Sequence, residues 1–154
     1  MLAPALFVSH QSDQPPLPGR RGRRVTPENA GGVTILVVDD ESWIRQITVR
    51  VLRDSGYTVL EAASGVEALE IIRASGPVAL VLADVAMPGM DGVQLAEAIR
   101  KHNSDQRVAF LSAYAGLIPR LEMKGPPLPI LEKPIEPNQL VDRIREILET
   151  RGNH

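Results

Sequence analysis

TILVVDDE, residues 34–41, sets five consecutive apolar or β-branched side chains directly against three carboxylates. A run this short, apolar at every position instead of at alternate ones, is the mark of a strand buried on both faces. Its acidic end is where the chain leaves the core. In open parallel sheets ligands bind beyond the carboxyl ends of the strands, so these acids stand where chemistry is expected.

Working outward, similar runs follow at Thr58 to Ala62, Val78 to Ala83, Val108 to Leu111 and, more weakly, Pro129 to Leu131. Between them lie segments with helical spacing: Ile44, Ile47, Val51 and Leu52; Leu69 and Ile72; Leu95, Ala96 and Ile99. Leu140, Val141, Ile144, Ile147 and Leu148 form a last apolar stripe. Ser64 with Glu67 reads as a capping box, Asp91 as the cap of the third helix, and Gly56 as the residue after the first. The segment from Ala115 to Lys124 is short and contains Pro119, so a fourth helix there is expected to be brief or frayed. Strict alternation of strand and helix with short connections predicts an α/β fold: a five-stranded parallel sheet covered by helices on both faces, a three-layer sandwich.

With 154 residues, 44% of them hydrophobic, one domain with a sizeable core is expected. The net charge of −2 gives no case for nucleic acid, and no direct DNA binding is expected. The absence of cysteine excludes disulfides, thiolate metal sites and thiol nucleophiles. Met1 to Val8 is the only early apolar stretch, too short for a membrane span and interrupted by Pro4, so no membrane association and a cytoplasmic location are expected. Residues 1–32, rich in Pro, Gly and Arg, read as a disordered tail or a misassigned start, and 33–151 as the folded domain.

The strand ends carry a coherent set of groups. The first strand runs into Asp39, Asp40 and Glu41, the third into Asp84, the fourth into Ser112, and the fifth into Lys133 and Pro134. Clustered carboxylates repel unless a cation is present, and Mg²⁺ suits a few carboxylates completed by water and phosphate oxygens. The histidines His10, His102 and His154 are too scattered to form a zinc site. A lysine and a hydroxyl beside the acids supply what phosphoryl transfer needs, and Asp84 is the natural nucleophile. Taken singly, Asp40 or Glu41 reads equally well as a helix cap, and Lys133 as a solvated charge. Convergence at four strand ends favours the chemical reading.

ILVVDDE (35–41), LADVAMPGMDG (82–92), FLSAYA (110–115) and LEKP (131–134) together resemble the receiver domains of two-component response regulators. The resemblance implies a flavodoxin-like strand order 2-1-3-4-5. It implies that Asp39 and Asp40 hold Mg²⁺ with Asp84 and the backbone carbonyl of Ala86. Asp84 would be the phosphoacceptor, served by a histidine kinase or a histidine phosphotransfer protein, with Ser112 and Lys133 contacting the phosphoryl group. The bond before Pro134 would be cis. Phosphorylation would remodel the face formed by the fourth helix, fifth strand and last helix, which then binds an unknown output protein. Such a domain catalyses only its own phosphorylation and dephosphorylation and is not otherwise an enzyme.

The chain departs from the family at Ile130, where an aromatic switch residue is frequent. Ala86 and Tyr114, two residues beyond Asp84 and Ser112, predict slow self-dephosphorylation. The Pro-rich stretch before PILEKP is similar to receivers of hybrid histidine kinases and their single-domain relatives. Because the chain stops just after the last helix, output is expected through protein contact or through a relay. The alternative is a degenerate receiver that binds a partner without phosphorylation; the intact acids, Ser112 and Lys133 argue against it. A phosphatase of the haloacid-dehalogenase type would need an acid where Ala86 stands.

Overall fold

Strand alternation divides the core into two halves on either side of a single sheet. The computed structural model describes residues 32–113 and 125–150. Its strands are β1 (Thr34–Val38), β2 (Thr58–Ala62), β3 (Leu80–Ala83), β4 (Val108–Ser112) and β5 (Ile130–Glu132). All pairings are parallel and the order is β2-β1-β3-β4-β5, as the resemblance implies. The order reverses between β1 and β3, so the crevice above their carboxyl ends is the natural binding position.

The described helices are α1 (Ser42–Asp54), α2 (Gly65–Ala74), α3 (Gly92–His102) and α4 (Pro137–Glu149). Ile35, Val37, Leu80, Leu82, Ala109, Leu111 and Leu131 pack with residues of α1 and α4, while Leu36, Val38, Val81, Ala83, Val108 and Phe110 pack with residues of α2 and α3. Each strand therefore feeds both layers, which is why the central strands β1, β3 and β4 are apolar without alternation, while β2 and β5 at the edges carry Glu61 and Glu132. The expected helix at 115–124, Tyr114 and the first 31 residues lie outside the described residues.

The predicted stripe of α1 needs correction. Ile47 is 54% exposed, whereas Thr48, Val49 and Leu52 are buried. Thr48 can be buried because its hydroxyl is satisfied within the helix, donating to the Ile44 carbonyl at 3.2 Å, so a polar residue type concealed the true phase of the helix. The caps are close to expectation. Asp91 and Gln94 form a reciprocal capping box. Ser64 accepts from Glu67 N–H, but the Glu67 carboxylate reaches one residue further back, to Ala63 N–H at 2.7 Å. Gly56 follows α1 with φ of 100°, a conformation that only glycine adopts cheaply.

Candidate functional site

Three backbone hydrogen bonds carry the sheet one residue past its strands and fix the site. Asp39 N–H donates to the Ala62 carbonyl at 3.1 Å, Asp84 N–H to the Val38 carbonyl at 3.0 Å, and Lys133 N–H to the Ser112 carbonyl at 3.0 Å. Continued alternation puts Asp39, Asp84 and Lys133 in phase with Val37, Leu82 and Leu131, on the α1 and α4 side of the sheet. Ser112, in phase with Phe110, follows the other face and is wholly buried.

The charged groups meet as the strand ends suggested. Lys133 Nζ donates to Asp39 Oδ2 at 2.9 Å and lies 3.5 Å from Asp84 Oδ2. Asp39 and Asp84 are both buried. Burial raises the Asp84 carboxyl above its ordinary range; the Lys133 charge opposes this and the Asp39 charge adds to it. Burial alone would lower the Lys133 ammonium, but the hydrogen bond and charge of Asp39, with those of Asp84, outweigh it and hold the group above the ordinary lysine value.

Carboxylate oxygens of Asp39, Glu41 and Asp84 lie within 4.8 Å of one another. This all-oxygen set fits a hard divalent cation of the Mg²⁺ type and offers nothing to a metal that prefers nitrogen or sulfur. Among the described residues Asp40 is exposed and stands outside that cluster, and Glu41 stands inside it. Glu41 occupies the cap position of α1 but makes no capping bond through its side chain. The cap reading of Glu41 is therefore replaced by a place at the acidic cluster. Its backbone N–H donates to Asp39 Oδ1 at 2.9 Å, which orients the Asp39 carboxylate.

The segment after Asp84 folds back on it. Ala86 N–H donates to Asp84 Oδ1 at 3.3 Å, and Gly92 N–H to the Val85 carbonyl at 2.9 Å. A Cβ at Gly92 would fall on the Asp84 carbonyl oxygen and 2.8 Å from Val85 Cα, so glycine is what lets α3 begin this close to the acid. Ala86 is exposed. The peptide bond between Lys133 and Pro134 is cis, as the resemblance implies. Ile130 is half-buried against the α2 and α3 layer, and Tyr114 lies outside the described residues.

One participant was missed from sequence. Arg45, on the first turns of α1, reaches the Asp39 carbonyl and the Glu61 carboxylate. It stands one turn before Thr48 and Val49 and so shares the inward stripe of α1, a phase that the apolar pattern of the sequence did not give.

Comparison with known proteins agrees with this geometry. The family model described as response regulator receiver domain matches residues 35–145. The chain is 38% identical over 149 residues to sensor kinase CckA of Brucella abortus, covering 95% of this chain and 16% of that protein. It is 32% identical over 120 residues to sporulation initiation phosphotransferase F of Bacillus subtilis, covering 77% of this chain and 96% of that one. It spans 50% of the response regulator MprA of Mycobacterium ulcerans, at 38% identity over 117 residues and 75% of this chain. Among solved structures, the receiver domain of the hybrid histidine kinase CckA matches with a TM-score of 0.63 and 38% identity, over 75% of this chain and 98% of that one. The response regulator TrrA of Thermotoga maritima, in complex with Mg²⁺-BeF, matches with a TM-score of 0.66 and 31% identity over the same shares, 75% and 98%. Among the described residues no helix is long and apolar enough to cross a membrane.

Proposed function

The chain belongs to the response regulator receiver family of two-component systems, and from that premise we propose that Asp84 is its phosphoacceptor. The observation that carries this reading is the Lys133 ammonium set between Asp39 and Asp84, 2.9 Å and 3.5 Å from their carboxylates. A structural ion pair needs one acid; a second, buried acid sharing the same ammonium leaves a carboxylate available for chemistry.

In this reading an Asp84 carboxylate oxygen attacks the phosphorus of a phosphohistidine on a histidine kinase or phosphotransfer protein. The bond from phosphorus to imidazole nitrogen breaks, an acyl phosphate forms on Asp84, and the imidazole leaves with the electron pair. Lys133 moves its charge from the free carboxylate to a phosphoryl oxygen, and the Ser112 hydroxyl donates to another. Asp39 and Asp84, with Asp40 or Glu41 and the Ala86 carbonyl, are the groups that would hold Mg²⁺. The ion supplies neutralisation of charge shared between the acids and the phosphoryl oxygens. Phosphorylation then biases a two-state equilibrium that a partner protein reads.

Intact-protein mass after incubation with acetyl phosphate tests the reading, in Mg²⁺ and in EDTA, beside Asp84→Asn. Gain of one phosphoryl group that needs both the metal and Asp84 is the expected result. Absence of any gain, with acetyl phosphate and with a phosphorylated histidine donor alike, would favour the phosphorylation-independent binding module.

A further inference from the structure

Helix α1 begins against its local preferences. Its cap residue, Glu41, makes no side-chain capping bond, and no acid stands in its first turn. Arg45 instead places a cation near the positive end of the helix dipole. Something other than propensity holds the turn between Asp39 and α1. Arg45 Nη1 donates to the Asp39 carbonyl at 2.6 Å, and its Nε to Glu61 Oε1 at 3.0 Å, with the Arg45 side chain only 15% exposed.

Glu61 lies on β2 beside Val37, and the next β2 residue, Ala62, accepts the Asp39 N–H. Both peptide groups of Asp39 are therefore tied to β2, one directly and one through the guanidinium. A planar fork with two directed donors suits that bridge; a flexible ammonium does not. Resting on the reading of Asp39 as a cation-holding acid, we infer that Arg45, anchored by Glu61, is a positioning residue that aims the Asp39 carboxylate at the metal ion and at Lys133.

Charge and geometry give opposite signs here, which makes the inference sharp. Deleting a cation near three carboxylates draws a metal ion in more strongly if only charge matters. Deleting a residue that orients a metal ligand weakens binding, commonly by tenfold or more. The experiment is Mg²⁺ titration of the full chain, followed by calorimetry and by fluorescence of Trp43, its single tryptophan. Amide spectra in EDTA follow Glu41 N–H, which reports the Asp39 carboxylate directly. Arg45→Ala is expected to weaken Mg²⁺ about tenfold and to shift the Glu41 amide; Arg45→Lys should fall between it and the native chain. Arg53→Ala is the control, because Arg53 also joins α1 to β2, donating to the Val59 carbonyl at 2.9 Å, yet stands at the other end of the helix. It should leave both readouts native.

Mg²⁺ binding by Arg45→Ala at native or higher affinity, with the Glu41 amide unmoved, would overturn the inference. A native chain that binds no Mg²⁺ would sink the function proposed above, while the amide comparison in EDTA would still decide the role of Arg45. If Arg45→Ala does not fold, Arg45→Lys and Glu61→Ala carry the same comparison, and native values in both overturn it.

Discussion

Lys133 Nζ donates to Asp39 Oδ2 at 2.9 Å, closing an ion pair between the two ends of the domain, 94 positions apart. The ammonium is shared with Asp84 but bonded to Asp39. Its removal leaves two buried carboxylates uncompensated.

Lys133→Ala is expected to lower stability at pH 7 in EDTA by roughly 3 kcal/mol, the usual cost of stripping one partner from a buried pair. Denaturant unfolding measures it. The same variant should acquire a phosphoryl group about a hundredfold more slowly, since a charge aimed at the transferring oxygens is gone. A variant as stable and as reactive as the native chain would show Lys133 to be a bystander.

Metal dependence follows from the acid cluster. Mg²⁺ at ten times its Kd should raise the stability of the native chain by about 1.4 kcal/mol through mass action. Asp84→Asn removes a buried charge that desolvation disfavours, so in EDTA it should melt no lower than the native chain and should gain less from Mg²⁺. Thermal melts with and without the ion decide this, and an equal gain in both chains would exclude Asp84 from the metal site.

Gly92→Ala should cost about 2 kcal/mol, because its methyl meets backbone of Asp84 and Val85 and neither atom can swing aside. Gly76→Ala is the matched control: a methyl there meets nothing within 4 Å. Urea midpoints of the two variants should therefore separate clearly. In Gly92→Ala the displaced Asp84 should also be phosphorylated more slowly than stability alone accounts for.

Tyr57 gives the pH dependence. Burial raises its phenol above the ordinary 10.0, with Arg145 opposing and Glu149 adding. The folded chain thus holds this proton more tightly than the unfolded chain does. That stabilisation is complete below pH 10 and is lost as pH rises through the folded value. Tyr57→Phe should then unfold at a higher pH than the native chain in an alkaline titration, while differing little at pH 7.

Much of this was readable in the sequence, for identifiable reasons. β1, β3 and β4 announced themselves because they are buried on both faces, β5 more weakly because it is short and ends in an exposed glutamate, and Asp39, Asp84 and Lys133 met because strand ends are where a parallel sheet gathers its side chains. The phase of α1 was not readable: Arg45 and Thr48 face inward with their polar groups hydrogen-bonded, and a hydrophobicity pattern counts such residues as solvent-facing. Glu41 was hidden differently. Beside Asp39 and Asp40 it looked like a helix cap, and only the fold of the turn shows its carboxylate meeting Asp84.

The pocket proposed to accept the phosphoryl group draws on β1, β3, β4 and β5 and has no local fragment of its own. A nascent or partly unfolded chain, lacking any one of these strands, presents a plain aspartate that no donor can distinguish from its neighbours. In the function proposed above, competence to be phosphorylated is therefore a built-in inspection of the finished molecule, and a signal would be withheld from copies that have not completed their sheet.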